Sequence, residues 1–107
     1  MSTEVAERRQ NVRVAASYAV SLADRKGRFI ARGRTANISQ SGLLAVLDLR
    51  RPLAQEAVQV KVTVPAAGIE AGRKGAMRTV IYSARVVRQE QVGHLTGVAV
   101  DFLQKIS

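Results

Sequence analysis

The chain has 107 residues, of which 47% are hydrophobic, enough for one folded domain with a modest core and too few for two. It contains no cysteine, which excludes disulfide bonds and thiolate metal sites. The net charge of +9 comes from 13 arginines and 4 lysines against 8 acids and favours an anionic partner, since a guanidinium group binds phosphate or a guanine edge through two hydrogen bonds.

Residues 1–12 form a polar, charged segment that we expect to be a flexible N-terminal arm, because it has too few apolar side chains to pack onto a core. The arm lacks the apolar stretch of a secretory signal, and no apolar run in the chain approaches the roughly 20 residues of a membrane span. We therefore expect a cytoplasmic protein without a membrane span. Arg8, Arg9 and Arg13 cluster at the end of the arm, and their mutual repulsion is relieved by an anion or by solvent.

Residues 13–107 form the predicted folded domain, in which apolar and polar residues alternate as is typical of β-strands. Strands are predicted at 14–23, 28–36, 43–49, 58–64, 76–87 and 97–102. A turn at 24–27, a polar loop at 37–42, a connection at 50–57 that allows one helical turn, a hairpin loop at 65–75 and a turn region at 88–96 separate them. This pattern predicts an all-β fold, a small six-stranded antiparallel β-barrel whose closure removes exposed edges.

Two short motifs with polar, hydrogen-bonding side chains lie 23 residues apart. The first is R-x-x-x-R, Arg9 to Arg13, at the junction of the arm and the first strand. The second is N-x-S-x-x-G in the loop before the third strand, in which Asn37 offers a donor and an acceptor, Ser39 offers a hydroxyl, and Gly42 allows a close backbone approach. Each motif alone is also typical of ordinary structure, a solvated basic segment in the first case and a stabilised turn in the second.

Together the motifs resemble the PilZ domain, a bacterial receptor domain for cyclic di-GMP. The similarity extends to the segments "ERRQNVRVAASYAVSL", "GRTANISQSGLLAVL", "ARVVRQ" and "GVAVDF", from about Glu7 to Phe102. It implies a split-barrel type of β-barrel with a ligand-binding N-terminal arm. Many members carry a helix after the barrel, whereas only "LQKIS" follows Phe102 here, so we expect little or no C-terminal helix.

The resemblance implies a binding site for cyclic di-GMP and no other cofactor. Arg9 and Arg13 would hold a guanine edge and the phosphates, while Asn37 and Ser39 would bind a guanine from the barrel. Gly42 would shape the loop, and Arg8, by its position before the first motif arginine, favours a stacked pair of ligands. Many family members have aspartate where this chain has Asn37. The asparagine side chain lacks the charged acceptor that aspartate offers to guanine N–H groups. The arm would fold over the ligand and present a surface to an unknown downstream protein.

Two other binding functions remain open on sequence grounds, a PilZ-like adaptor that binds a protein without ligand and a basic barrel that binds single-stranded nucleic acid. The aromatic fraction of 4% makes nucleic acid unlikely, because bases usually stack on aromatic side chains. An enzyme is not expected, since the acids are scattered and His94 has no nucleophile partner, and no metal site is expected. Tyr18, Phe29, Tyr82 and Phe102 are interpreted as core. Six arginines outside the motifs are interpreted as a general basic surface: Arg32, Arg34, Arg73, Arg78, Arg85 and Arg88.

Overall fold

The computed structural model describes residues 15–65 and 77–107, which form six β-strands. The strands are β1 Ala19–Ala23, β2 Phe29–Ile38, β3 Gly42–Leu47, β4 Ala57–Pro65, β5 Met77–Val92 and β6 Leu95–Lys105. Every neighbouring pair is antiparallel, and the strands close into a barrel in the order β1-β2-β3-β6-β5-β4. The predicted all-β, six-stranded antiparallel barrel is confirmed.

Some expectations lie on residues that the structure does not describe. The arm at 1–12 with Arg8, Arg9 and the neighbouring Arg13 is outside the described residues, as is nearly all of the hairpin loop at 65–75. The arm's flexibility and the domain boundary at residue 13 therefore stay predictions. Residues 103–105, where little or no helix was expected, continue β6, and the described residues contain no helix.

The barrel interior is filled by the apolar side chains that alternate along each strand. Val58, Val60 and Val62 of β4 are at most 2% exposed, as the strict alternation of this strand predicts. Burying each such side chain contributes about 1.5–3 kcal/mol. The rest of the buried core comes from the other strands and the connection after β3: Val20, Leu22, Ala31, Leu43, Ala45, Leu47, Leu53, Val80, Ala84, Val98 and Val100.

The sequence-based boundaries are wrong at the β5–β6 hairpin. The polar stretch 88–96 was interpreted as a turn region, but β5 continues to Val92, β6 begins at Leu95, and only Gly93 and His94 form the turn. Backbone pairing with β6 satisfies these polar residues' N–H and C=O groups. Gly93 has a φ of 63°, which a tight hairpin turn requires.

Smaller corrections concern the ends of other elements. The first strand begins at Ala19 rather than 14 among the described residues, and β2 extends through Ile38 into the predicted loop. The connection at 50–57 contains no helical turn. Phe29, interpreted as core, is 66% exposed because a register shift after Leu22 pairs it with Ala23, on the outer face of β1.

The β1–β2 turn is organised by Asp24. Its Oδ1 accepts hydrogen bonds from the backbone N–H groups of Lys26 at 2.9 Å and Arg28 at 2.8 Å, and its Oδ2 accepts from Arg28 Nε at 2.8 Å. Gly27 adopts a φ of 85°, a backbone conformation that glycine accommodates without strain. The Arg28 backbone N–H first, and then its guanidinium group and the Lys26 N–H, lower the pKa of the Asp24 carboxyl, because all of them favour the charged form.

We expect the pKa of Asp24 to remain below its ordinary value in an Arg28→Ala variant, though by less than in the wild type, because the backbone donors persist. Since the folded-state pKa is lowered, this carboxylate stabilises the turn above its ordinary pKa, and that contribution is lost as pH falls through the folded-state pKa. An NMR titration of the Asp24 carboxyl carbon measures both values. A return to the ordinary pKa in the variant would show that the guanidinium group alone causes the shift.

Candidate ligand-binding site

The loop from Asn37 to Gly42 joins β2 to β3 and is closed by its own hydrogen bonds. The Ser39 backbone N–H donates to the Gly42 carbonyl oxygen at 2.9 Å. The Ser39 hydroxyl accepts from the Ser41 N–H at 3.2 Å and lies 3.2 Å from the Ser41 hydroxyl. The Phe102 N–H donates to the Ser41 carbonyl oxygen at 2.8 Å, which ties the loop to β6. The loop is therefore a fixed feature of the barrel end.

Gly42 is required by a close approach between β3 and β6. A Cβ atom at this position would lie 2.2 Å from the Val100 carbonyl oxygen, far inside van der Waals contact. Only glycine allows β3 to begin here. The expectation that Gly42 shapes the loop has this specific steric basis.

A β-bulge in β2 decides which way Asn37 faces. Thr35 pairs with Ala45 and is buried, so strict alternation would also turn Asn37 towards the interior. The register shifts between Thr35 and Asn37, and Asn37 then pairs with the half-exposed Leu44. The extra residue, Ala36, thus places Asn37 on the outer face of the barrel.

A second β-bulge, in β5, places Arg88 on the outer face of the barrel. Val86 pairs with Val100 and packs against the core, whereas Arg88 pairs with Ala99 after a register shift. Because Leu44 also pairs with Ala99, four strands carry one continuous outer row, listed here in order: Asn37, Leu44, Ala99 and Arg88. We call this the outer row. Arg88 had been interpreted as general basic surface, and only the bulge, which the sequence pattern does not reveal, brings it into line with Asn37.

Next to the outer row lies a groove of about 300 Å³ on the outside of β3, β6 and β5. Its lining is apolar apart from two opposite charges: Leu44, Val46, Arg88, Glu90, Val92, Leu95 and Gly97. Gly97 pairs with Val46 on one side and Glu90 on the other, so the middle of the groove has no side chain. A flat ring system with polar edges fits such a surface.

Residues 16–18, which lead into β1, are held beside the site by β2. The Thr35 hydroxyl donates to the Ala16 carbonyl oxygen and accepts from the Tyr18 N–H at 2.9 Å. The Arg34 guanidinium group donates to both the hydroxyl and the carbonyl oxygen of Ser17, each at 2.6 Å. The chain therefore enters the barrel next to the end of β2 that carries Asn37.

A second cavity, of about 320 Å³, opens at the same end of the barrel. Ile38, Ser39 and Gln40 line one side of it, and Arg78 and Tyr82 lie on the β5 side. The Tyr82 ring stacks on Phe102 with centroids 3.9 Å apart and planes at 6°, and both rings pack against the core as expected. Ser39 thus borders this cavity while Asn37 belongs to the outer row, and the two polar side chains of the motif adjoin different surfaces.

Other kinds of site are not found in the described part of the chain. Among residues 15–65 and 77–107, no group of three or more His, Cys, Asp or Glu side chains could hold a metal ion. These residues also contain no helix that is long and apolar enough to cross a membrane.

Comparison with known proteins identifies the barrel. The PilZ domain family matches residues 7–107, whereas comparison with curated protein sequences gives no match. The structure is similar to that of the Bacillus subtilis inhibitor of motility MotI/DgrA, with a TM-score of 0.69 and 21% identity over 94% of this chain. The chain spans only 44% of that protein.

Two further solved structures share the fold. The PilZ domain of YcgR from Escherichia coli, solved with c-di-GMP, gives a TM-score of 0.54 and 18% identity over 90% of this chain and 78% of its own. The PilZ domain of CeSA from a cellulose-synthesizing bacterium gives a TM-score of 0.51 and 21% identity, over 87% of this chain and 82% of its own.

Proposed function

Because the chain belongs to the PilZ domain family, we propose that it is a cytoplasmic receptor for cyclic di-GMP that binds the ligand along the outer row. The observation that carries the proposal is the pair of β-bulges that turn Asn37 and Arg88 onto one outer face. The similar YcgR domain, solved with c-di-GMP, supports the choice of ligand. The ligand has two guanines and two phosphates, so its receptor needs side chains that form bidentate hydrogen bonds with the bases and cations that bind the phosphates.

The groove beside the outer row suits a guanine base. Leu44 and Val46 form an apolar wall, and Gly97 leaves room for a ring to lie flat. Arg88 can donate two hydrogen bonds to guanine N7 and O6, a contact that discriminates by roughly 1–3 kcal/mol per base. The Glu90 carboxylate can accept hydrogen bonds from the N–H groups of the same base.

Asn37 would bind the base from the other end of the outer row through its amide. The Ser39 hydroxyl is engaged within the loop, so its first role in the proposal is to hold the loop shape. Gly42 keeps the loop against β6. In the proposal, Asn37 thus contacts the ligand, while Ser39 and Gly42 maintain the conformation of the loop.

Arg8, Arg9 and Arg13 supply the cations in the proposal. Arg13 precedes Ala16 by three residues, which span at most about 11 Å when extended. Ala16 is bonded to Thr35, two residues before Asn37, and the proposal uses this anchor to let Arg13 reach the ligand. In the proposed complex Arg9 and Arg13 hold a guanine edge and the phosphates, Arg8 favours a stacked pair of ligands, and the ordered arm presents a surface to a downstream protein.

Calorimetric titration with cyclic di-GMP tests the proposal. We expect saturable binding in the micromolar range or tighter, with one or two ligands per chain. Cyclic di-AMP has the same phosphates but lacks guanine O6, so it should bind at least about tenfold more weakly if the bases are read. Absence of heat at tens of micromolar ligand would leave the ligand-independent adaptor and, second to it, the barrel that binds single-stranded nucleic acid. Equal affinity for both dinucleotides would show that the phosphates alone are recognised.

A further inference from the structure

A second groove runs along β1, on the side of the barrel opposite the outer row. In the ring of six strands β1 and β6 are three places apart, so their outer faces point in opposite directions. The outer side chains of β1 are small, Ala19, Ser21 and Ala23, while longer side chains rise on the flanking strands. Two adjoining depressions of about 210 and 200 Å³ share Ser21 and Lys61 and form one channel. We call it the β1 groove.

The centre of the β1 groove carries two cations on either side of a hydroxyl. Ser21 pairs with Arg32 of β2 on one side and with Lys61 of β4 on the other. Two strand spacings separate the flanking backbones by about 10 Å, so both cationic side chains can reach a group seated over Ser21. Neither Arg32 nor Lys61 forms an ion pair with any described residue.

The surroundings leave this positive charge uncompensated. Arg34, on the same face, donates to Ser17 and adds a third cation. The acid nearest in the strand pairing is Asp48, whose backbone N–H donates to the Arg32 carbonyl oxygen, but its carboxylate makes no ion pair with Arg32. A partner carboxylate over Ser21 therefore meets a hydroxyl and two available cations.

One end of the β1 groove is apolar. Phe29 pairs with Ala23 and is 66% exposed, and Ile81, which pairs with Lys61, lines the same depression. Ser21 and Ala23 are two residues apart, about 7 Å along the strand. On an extended partner segment, side chains two residues apart have the same spacing. An acid over Ser21 would thus place an apolar side chain on Phe29.

We propose that the β1 groove is a docking site for an acidic segment of a partner protein, bound extended along β1 with Asp or Glu over Ser21 and an apolar side chain on Phe29. Nucleic acid fits less well, because Phe29 is the one aromatic side chain that lines the groove among the described residues, and base stacking uses a series of them. A membrane surface fits less well too, because Phe29 is the one large exposed apolar side chain that lines the groove among the described residues, which leaves little apolar area to insert.

The groove is independent of the proposed ligand site. Arg32 shares β2 with Asn37 but lies five residues before it, about 16 Å along an extended strand. No residue lines both sites, so a partner segment and a ligand can be bound at the same time. Any effect of one on the other would have to pass through the barrel or the arm.

NMR titration of the isotope-labelled protein with a defined peptide tests the docking site. The probe repeats Glu-Thr-Leu-Thr twice, and its control has Gln in place of Glu. We expect saturable shift changes at the amides of Ser21, Arg32 and Lys61, at least about tenfold weaker binding of the Gln peptide, and a similar loss in an Arg32→Glu/Lys61→Glu variant. Cyclic di-GMP binding by this variant should stay within about twofold of wild type.

The matched control is Arg51→Glu/Lys105→Glu, which changes the net charge equally at exposed positions that do not line the groove. It should retain peptide binding within about threefold. Equal losses in both variants, shift changes on the outer row instead, or equal binding of the Gln peptide would overturn the proposal. Tighter binding of a twelve-residue oligothymidylate or of phosphatidylglycerol vesicles at the same amides would also overturn it. Should the charge reversal disturb folding, Arg32→Gln/Lys61→Gln is expected to weaken peptide binding about fivefold.

Discussion

Replacing Gly42 by alanine is expected to lower the free energy of unfolding by about 3 kcal/mol, at the upper end of ordinary overpacking. The added Cβ would lie 2.2 Å from the Val100 carbonyl oxygen, 3.2 Å from its carbonyl carbon and 3.4 Å from the Asp101 Cα. These are backbone atoms, so no side chain can rotate away. The start of β3 must separate from β6, which weakens the pairing of Gly42 with Asp101. Urea denaturation monitored by circular dichroism measures the loss.

Gly97→Ala is the matched control for Gly42→Ala. A Cβ at Gly97 would meet nothing closer than the Glu90 carbonyl oxygen at 3.6 Å, an ordinary contact. Its φ is not positive, so alanine is also unstrained there. The free energy of unfolding should change by less than about 1 kcal/mol in either direction. Similar losses in both variants would mean that any alanine in these strands destabilises the barrel and that the contact with Val100 has no special weight.

Replacing Arg13 by alanine is expected to weaken cyclic di-GMP binding by at least about a hundredfold, because hydrogen bonds to charged groups contribute about 1.5–3 kcal/mol each and this side chain makes two in the proposed complex. Arg9→Ala should have a similar effect. Calorimetry gives the affinities, and thermal denaturation should show an unchanged barrel. Arg51→Ala, which removes the same charge from an exposed position in the connection after β3, should keep binding within about twofold.

Arg88→Ala distinguishes where on the barrel the ligand lies. We expect about a tenfold or greater loss of affinity, since a bidentate contact with guanine is removed. If Arg13→Ala abolishes binding while Arg88→Ala leaves it unchanged and Arg78→Ala weakens it, the ligand occupies the cavity beside Ser39 instead of the outer row. Unchanged binding in all of these variants would contradict both placements of the ligand on the barrel.

The barrel could be predicted from the sequence because alternation is a local property. The four valines of 58–64 alternate with polar residues, and a strand with one buried face must show this pattern. The hairpin at 88–96 could not be predicted in the same way. Residues 88–91 are all polar, so they show no alternation between two faces. Gln89 holds a distant segment through two hydrogen bonds with Leu53, at 2.6 and 3.2 Å.

The candidate site could be predicted only in part. The N-x-S-x-x-G motif predicts Asn37, Ser39 and Gly42 as site residues. Its spacing in the sequence places them between the second and third strands. The sequence does not predict that Arg88 aligns with Asn37, because composition does not reveal a β-bulge. One extra residue in a strand turns every later side chain of that strand to the opposite face. The β1 groove was equally hidden, because closure of the barrel pairs Ser21 with Lys61, 40 positions later in the chain.

The attachment of Ala16, Ser17 and Tyr18 to β2 has a consequence for the strength of the proposed receptor. In the proposed complex, this anchor would make the arm's arginines and the Asn37 amide a bivalent binder joined by a very short linker. Once a guanine is seated, the second contact forms at an effective concentration on the order of millimolar or above, without any additional contact surface. A peptide of residues 1–15 supplied separately to a truncated barrel would have to reach that concentration to restore the same affinity.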